Sequence, residues 1–248
     1  MQILKFQDVD LTYFSTNGET PALNKINFAV EKGEFVSIVG PSGCGKTTIL
    51  SLISGLIKPT AGKILIKNNS NNTYVGYMFQ KDNLLEWRTV LGNVYLGLEL
   101  QKRKTKENIT YVENLLKKYN LWEFRNKYPK ELSGGMRQRV ALIRTLAIKP
   151  NILLLDEPFS KLDIDSRINI SDDVFNIIKE LNITTILITH DISEAITLSN
   201  RIIVLTKRPG KIKNIYLLNF ITSTPSIKRN TEHFNILYKL VWSDIFNE

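Results

Sequence analysis

The sequence predicts an α/β fold: a mixed sheet core, an antiparallel β region at the N-terminal end, and a helical subdomain inserted between strands. Three observations predict it. The first third alternates polar and apolar residues in the manner of half-buried strands. Residues 84–149 then repeat their apolar positions at helical spacing. After them, short apolar runs return, separated by helical segments, which is the pattern of a parallel α/β sheet.

Each element follows from its residues. Leu4-Lys5-Phe6-Gln7-Asp8-Val9 and Ile26-Asn27-Phe28-Ala29-Val30 fit half-buried strands, with residues 15–21 read as a long loop between them. Phe35-Val36-Ser37-Ile38-Val39 is almost wholly apolar, as a strand buried on both faces must be. A glycine-rich loop follows, then a periodic helical stretch over residues 47–56, a turn at Pro59-Thr60-Ala61-Gly62 and a strand at Ile64-Leu65-Ile66. In the insertion, Ile109, Val112, Leu115, Leu116 and Tyr119 share one helix face. Met136, Val140, Ile143 and Ala147 share another, on a helix expected to stop at Lys149 before Pro150. Strands are expected again at 152–155, 185–188 and 202–205, and the chain is less regular beyond about Thr222.

Composition narrows the function classes. The 248 residues are 43% hydrophobic, enough for a full core, and nothing in them indicates disorder or a collagen-like repeat. One cysteine excludes an internal disulfide. No signal peptide is expected, because Met1 leads straight into Ile3-Leu4-Lys5-Phe6, and no apolar run approaches the roughly 20 residues that span a bilayer. Any membrane role is therefore expected to be peripheral. The formal charge of +9 is spread along the chain, and its densest run, residues 102–106, reads as a solvated helix start rather than a nucleic-acid face.

Gly40-Pro41-Ser42-Gly43-Cys44-Gly45-Lys46-Thr47 matches the phosphate-binding pattern G-x-x-x-x-G-K-[ST] between a strand and a helix. Glycines let the backbone curl so that several N–H groups face one anion, and the helix N-terminus adds its dipole. Lys46 would reach the β- and γ-phosphates and the Thr47 hydroxyl would hold Mg²⁺. The motif specifies a P-loop NTPase and no more. Cys44 sits beside Lys46 near a helix N-terminus, so its thiol is expected to have a lowered pKa and to be reactive.

The strand Ile152-Leu153-Leu154-Leu155 ends in Asp156-Glu157. Asp156 suits an Mg²⁺ ligand, and Glu157, one residue on, a general base for the attacking water. Two acids at a strand end are common on surfaces, and alone the pair decides nothing. Leu132-Ser133-Gly134-Gly135-Met136-Arg137-Gln138-Arg139 adds a serine and two glycines opening a helix, a second anion-binding terminus in one chain.

In this order, with Gln80, Ser160-Lys161-Leu162-Asp163 and His190, these motifs resemble the ABC ATPase family from about residue 3 to about 220. The resemblance implies one ABC ATPase domain over residues 1–222, with its helical subdomain at about 84–149 and a short tail at 223–248. It implies ATP and Mg²⁺ as ligands and a head-to-tail dimer with a second ATPase subunit, sandwiching two ATP molecules. Ser133, Gly134 and Gly135 of one subunit would close over the γ-phosphate held by residues 40–47 and Thr48 of the other. Gln80 would reach Mg²⁺ and the attacking water, beside Thr47 and Asp156 as metal ligands. His190 would sense the γ-phosphate, and Asp163 would cross the dimer interface, although Lys161 stands where a small residue is usual. Tyr13 matches the aromatic that stacks on adenine, with Phe14 a neighbouring candidate.

Two classes of ABC protein fit such a chain: the motor of a membrane transporter, or a soluble ATPase of repair, translation or iron–sulfur assembly. Repair members usually carry a long coiled coil between the P-loop and Ser133, and ribosomal members two cassettes; neither is seen here. The segment Met78-Phe79-Gln80-Lys81-Asp82-Asn83-Leu84-Leu85-Glu86-Trp87-Arg88-Thr89-Val90 and the later Arg208-Pro209-Gly210 resemble the nitrate/sulfonate/taurine importer branch, with Glu86 in place of a proline. This implies an integral-membrane permease and, indirectly, an extracytoplasmic solute-binding protein as partners, at the cytoplasmic face of the membrane, and no nucleic acid. In that family the permease inserts a helix between core and insertion. Leu84 is expected to pack inward, and Trp87 and Arg88 to contact the permease.

Overall fold

The computed structural model describes residues 1–16, 18–67, 74–160, 162, 164–220 and 224–247. Two long strands, β1 (Gln2–Ser15) and β2 (Gly18–Glu31), form an antiparallel hairpin in which Ser15 pairs with Gly18 and Tyr13 with Thr20. The long loop expected at 15–21 is therefore mostly strand. β3 (Phe35–Val39) enters the glycine loop and α1 (Lys46–Ile53) leaves it. The helix ends three residues before the periodicity does, at a turn where Gly55 takes a φ of +75°. β4 (Ala61–Ile66) then pairs with β1, so the sheet order β2-β1-β4 closes the antiparallel layer.

β5 (Val75–Met78) leads into the helical insertion: α2 (Val90–Leu100), α3 (Lys106–Lys118), two short 3₁₀ turns, and α4 (Gly134–Leu146). Thr89, Thr105 and Ser133 each cap a helix through the side chain, accepting a backbone N–H. Helix α4 stops at Leu146 rather than Lys149, whose φ of +51° has already turned the chain toward Pro150. The core resumes with β6 (Ile152–Asp156), α5 (Ile164–Leu181), β7 (Thr184–Ile188), α6 (Ile192–Leu198), β8 (Arg201–Leu205) and β9 (Ile212–Leu217). α7 (Pro225–Lys228) and α8 (Glu232–Phe246) finish it.

The six-stranded sheet runs β5-β6-β7-β3-β8-β9, parallel except for β9. Its central strands are buried on both faces, and the period of two divides their side chains between two cores. Ile152 and Leu154 of β6 point to the antiparallel layer with Ile186, Ile188 and helix α1. Leu153 and Leu155 point to α2–α5 with Leu187. A third cluster packs Phe234, Leu237 and Val241 of α8 and Ala195 and Ile196 of α6 on Val39, Ile202 and Val204. Among the described residues no helix is long and apolar enough to cross a membrane.

One contact ties the antiparallel layer to the glycine loop. Gly210, between β8 and β9, donates its N–H to Ala22 O (2.8 Å) and accepts from Asn24 N (3.0 Å). A Cβ on Gly210 would lie 2.1 Å from the backbone oxygen of Cys44, a contact relieved only by moving the loop. Gly210→Ala is therefore expected to weaken ATP binding and to lower Tm by roughly 5 °C, the scale of an overpacked core site. Thermal unfolding with and without MgATP measures both, and an unchanged Tm would show that the contact yields without cost.

Candidate functional site

The loop after β3 builds a cradle. Gly40, Gly43 and Gly45 take φ values of 154°, 73° and 100°. At Gly45 a side chain would be strained, since φ is left-handed and a Cβ would lie 2.6 Å from Leu23 Cδ2 and 3.1 Å from Ala22 O. Lys46 is almost fully buried; its ammonium donates to the carbonyls of Gly40 (2.8 Å) and Pro41 (3.0 Å). The carbonyls of the curled loop thus point inward onto the cation.

Around this cradle lies a cavity of about 440 Å³. Gly40, Ser42, Gly43, Gly45, Lys46, Thr47 and Thr48 line one side, Glu157 and His190 another, and Tyr13 a third. Pro41 and Cys44 are not part of its wall. Tyr13 OH lies 3.1 Å from Thr48 Oγ1, whereas Phe14, pointing to the other face of β1, is exposed and away from the cavity. Strand alternation thus puts Tyr13, and not Phe14, in the cavity wall. Thr20, Ala22 and Arg208 also line the cavity and were missed by the sequence reading. Thr20 is placed by its pairing with Tyr13, and Arg208 precedes Gly210, a segment read only as a mark of the importer branch.

Cys44 corrects an expectation. It is buried at 1% exposure beneath the loop, and burial pushes its thiol pKa up, outweighing the nearby Lys46 ammonium. The helix N-terminus and the lysine act on the thiol, but loss of water acts more.

β6 delivers the two acids. Asp156 is buried, accepting from Thr47 Oγ1 (3.4 Å) and Tyr77 OH (3.2 Å), and burial raises its pKa. The next residue, Glu157, takes a φ of +45°, left-handed for a non-glycine residue, while its N–H donates to Ile188 O (2.8 Å). That turn lifts its carboxylate away from the sheet. Gln80 Nε2 donates to Glu157 Oε2 at 2.9 Å, and His190 Nδ1 lies 3.3 Å from the same oxygen. Gln80 Nε2 also lies 3.4 Å from Ser160 Oγ.

The structure keeps Ser133, Gly134 and Gly135 apart from this cluster. Ser133 caps α4 by accepting from Met136 N (3.3 Å) and, with Gly135, lines a separate cavity of about 150 Å³ beside Arg139 and Asn169. Asp163 and Lys161 lie outside the described residues. The segment after Gln80 is nevertheless fastened to α4. Arg137 pairs bidentately with Asp82 (2.9 Å for both contacts) and reaches Glu86 Oε1 at 2.7 Å. Arg144 donates to the carbonyls of Asp82 and Asn83. Leu84 is buried in the insertion's core, as its apolar neighbours imply.

A family model for ABC transporters matches residues 23–160. The chain belongs to the ABC transporter ATP-binding family. It is 43% identical to YtlC of Bacillus subtilis, an uncharacterized ABC transporter ATP-binding protein, over 99% of this chain and 96% of that one. It is 42% identical to an aliphatic sulfonates import ATP-binding protein, SsuB of Bacillus cereus, over 82% of this chain and 81% of that one. A solved structure described as the dimeric form of MJ0796, a bacterial ABC transporter cassette, matches with a TM-score of 0.75 at 35% identity, covering 88% of this chain and all (100%) of that one. This ABC protein is accordingly an ATP-binding subunit and an ATPase with an α/β cassette fold.

In this cassette the segment bearing His190 is braced by a buried acid. Asp191 caps α6, accepting from Ser193 N (2.7 Å) and Glu194 N (3.2 Å). Glu194, buried at 2% exposure, accepts from Thr189 Oγ1 at 2.6 Å, and burial pushes its pKa from 4.5 up to about 7. A carboxyl whose folded pKa is raised binds more protons in the fold than in the unfolded chain. Its contribution is complete below pH 4.5 and is lost as pH rises through about 7. Glu194→Gln keeps the neutral form at every pH. Its Tm is expected to match the parent's at low pH and to exceed it by on the order of 5 °C above neutrality. A difference that does not change with pH, followed by scanning calorimetry, would refute the assignment.

Proposed function

We propose that this protein is the ATP-hydrolysing motor subunit of an ABC importer for a small solute, of the nitrate/sulfonate/taurine type. The observation that carries the catalytic part is the convergence of Gln80, Glu157 and His190 on one oxygen at the edge of the phosphate cradle. Glu157 is the general base: its carboxylate takes a proton from water as the water oxygen bonds to the γ-phosphorus and the bond to the bridging oxygen breaks. Gln80 orients the carboxylate and the water. His190, on the far side of the same oxygen, faces the γ-phosphate. The Lys46 ammonium and the loop N–H groups hold the phosphate charge.

The residues present fit Mg²⁺. Thr47 Oγ1 and Asp156 Oδ1 offer hard oxygens 3.4 Å apart, and among the described residues buried Asp156 forms no ion pair, with only the neighbouring Lys46 charge acting on it. With Gln80 they would hold the ion, which supplies charge neutralisation at the phosphates. The separation of Ser133, Gly134 and Gly135 from the cradle supports a site completed by a second subunit, with Asp163 at the interface and Tyr13 stacked on adenine. The likeness to a dimeric cassette supports the same arrangement.

The importer part rests on the sulfonate-importer relative and on the segment after Gln80. Trp87 is 75% exposed where the insertion begins, the position for a permease helix at the cytoplasmic face of the membrane. Arg88 Nη1 donates to Glu99 Oε2 (2.6 Å) and Gly92 O (3.1 Å), which orders α2 and holds this 33% exposed side chain beside Trp87, where the importer reading places it against the permease as well. The solute would be delivered to the permease by an extracytoplasmic binding protein.

Two substitutions test these readings separately. Glu157→Gln is expected to bind ATP yet hydrolyse it at least about 100-fold more slowly. It should also accumulate as an ATP-bound dimer on size-exclusion chromatography with MgATP. Hydrolysis at the parent rate would exclude Glu157 as the base. Trp87→Ala is expected to leave the isolated ATPase within about twofold and to weaken permease association by about 2 kcal/mol or more. Undiminished co-purification with the permease and undiminished transport would place the docking surface elsewhere.

A further inference from the structure

A second cavity, of about 190 Å³, lies at the opposite end of β3 from the phosphate cradle. Phe35 is the first residue of β3 and lines this cavity; Val39, the last, precedes Gly40 of the cradle. At about 3.3 Å per residue the strand alone separates the two sites by roughly 13 Å. The wall is aromatic and cationic: Phe35, Phe175 and Phe220 with Lys179 and Lys228, and no aspartate or glutamate among its lining residues.

Lys228 is the unusual group. It is 6% exposed, and among the described residues its ammonium makes one hydrogen bond, to Thr197 O at 2.7 Å. Two aromatic faces flank it, Phe175 at 4.9 Å and Phe220 at 5.2 Å from ammonium to ring centroid. Lys179 stands 5.8 Å from the centroid of the same Phe175 ring, so two cations share one π-system. Among the described residues no ion pair joins Lys228 to an acid, and burial, with Lys179 adding to it, lowers its pKa to about 8. A buried ammonium held by one carbonyl and two rings lacks the anion that would repay its lost hydration.

We propose that this cavity is a binding site for a small organic anion, a carboxylate on an apolar body, with Lys228 and Lys179 on the carboxylate and the phenylalanine rings around the body. Size and chemistry both select that class. The volume is below the roughly 300–1,000 Å³ of sites for drug-sized ligands, which excludes a nucleotide. The rings disfavour a bare, fully hydrated inorganic ion, and the two lysines disfavour a neutral ligand. Both α6, whose N-terminal turn follows His190, and β3 run from the catalytic cluster to this cavity, so the site shares its walls with the elements that carry the cradle.

Calorimetric titration of the full chain with benzoate tests the proposal, with benzyl alcohol as a neutral probe of the same shape and inorganic phosphate as an anion without an apolar body. Benzoate is expected to bind once per chain, at least about tenfold more tightly than either control, and equally with saturating MgATP present. Lys228→Met and the exposed Lys179→Met should each weaken benzoate by about tenfold, with ATP hydrolysis and Tm of the Lys179 variant near those of the parent. The Lys179 variant keeps the test valid should the Lys228 variant fold poorly. Four results would overturn the proposal: no saturable benzoate binding up to about 10 mM, equal affinity for benzyl alcohol, displacement by MgATP, or affinity unchanged in both lysine variants. Loss of hydrolysis in Glu157→Gln bears on the motor reading alone and leaves this test intact.

Discussion

The arrangement depends on a buried ammonium held by carbonyls. A loop that turns its N–H groups toward an anion must turn carbonyls the other way, and in a buried position those oxygens need a donor. Lys46 supplies it to Gly40 and Pro41, so the cation proposed to hold phosphate also fixes the shape of the cradle. The consequences spread outward. The loop's underside is filled by Cys44, whose backbone oxygen is packed by Gly210. Gly210 in turn is zipped to Ala22 and Asn24 of the antiparallel layer. That layer places Tyr13 over Thr48, so an aromatic more than thirty residues from the helix it meets is set by one glycine contact (a sequence separation of 35).

The cluster of Gln80, Glu157 and His190 follows from strand order. β5, β6, β7 and β3 are consecutive neighbours in the sheet, and all are parallel. Their C-terminal ends therefore face the same way and deliver Gln80, Asp156 with Glu157, the His190 segment and the cradle to one edge. Sequence distance is irrelevant to this convergence. Glu157 carries backbone strain at this edge: its left-handed turn, which costs about 1–2 kcal/mol, is held by its N–H bond to Ile188. Without that turn the carboxylate would continue the alternation of β6 and point into a core.

Much of this was legible in the sequence, because apolar runs and ordered motifs are local. The strands at 35–39, 152–155, 185–188 and 202–205 were found since their burial on both faces leaves almost no polar residue. β9 was missed for the complementary reason: Ile212–Leu217 is an edge strand with mostly exposed side chains, and its residues carry little pattern. The hairpin tip was read as a loop because Gly18 and Pro21 look like breakers, yet Pro21 sits on the outer strand of its sheet, where a missing N–H costs nothing. Cys44 was misjudged because nearby charges can be read from the chain, whereas burial cannot. Nor could sequence show that Arg137 spans to Asp82 and Glu86, a contact formed only after the insertion folds back on its own entrance.

That last network bears on how the two parts of the molecule move against each other. Glu86, the residue that departs from the importer branch, adds a second acid to Arg137 beside the bidentate Asp82 pair. Arg144 ties down the carbonyls between them. A partly buried bidentate pair with backbone clamps resists shear far better than a single exposed hydrogen bond. The residues after Gln80 therefore belong mechanically to helix α4 and to Ser133 at its tip. Among the described residues the Gln80 side chain hydrogen-bonds to Glu157 and Ser160, both through exposed contacts. Gln80 thus joins the braced entrance of the insertion to the Glu157 carboxylate. A change in what surrounds Glu157 reaches the braced segment through that hydrogen bond, and whatever moves Trp87 and α4 is returned to Glu157 by the same route.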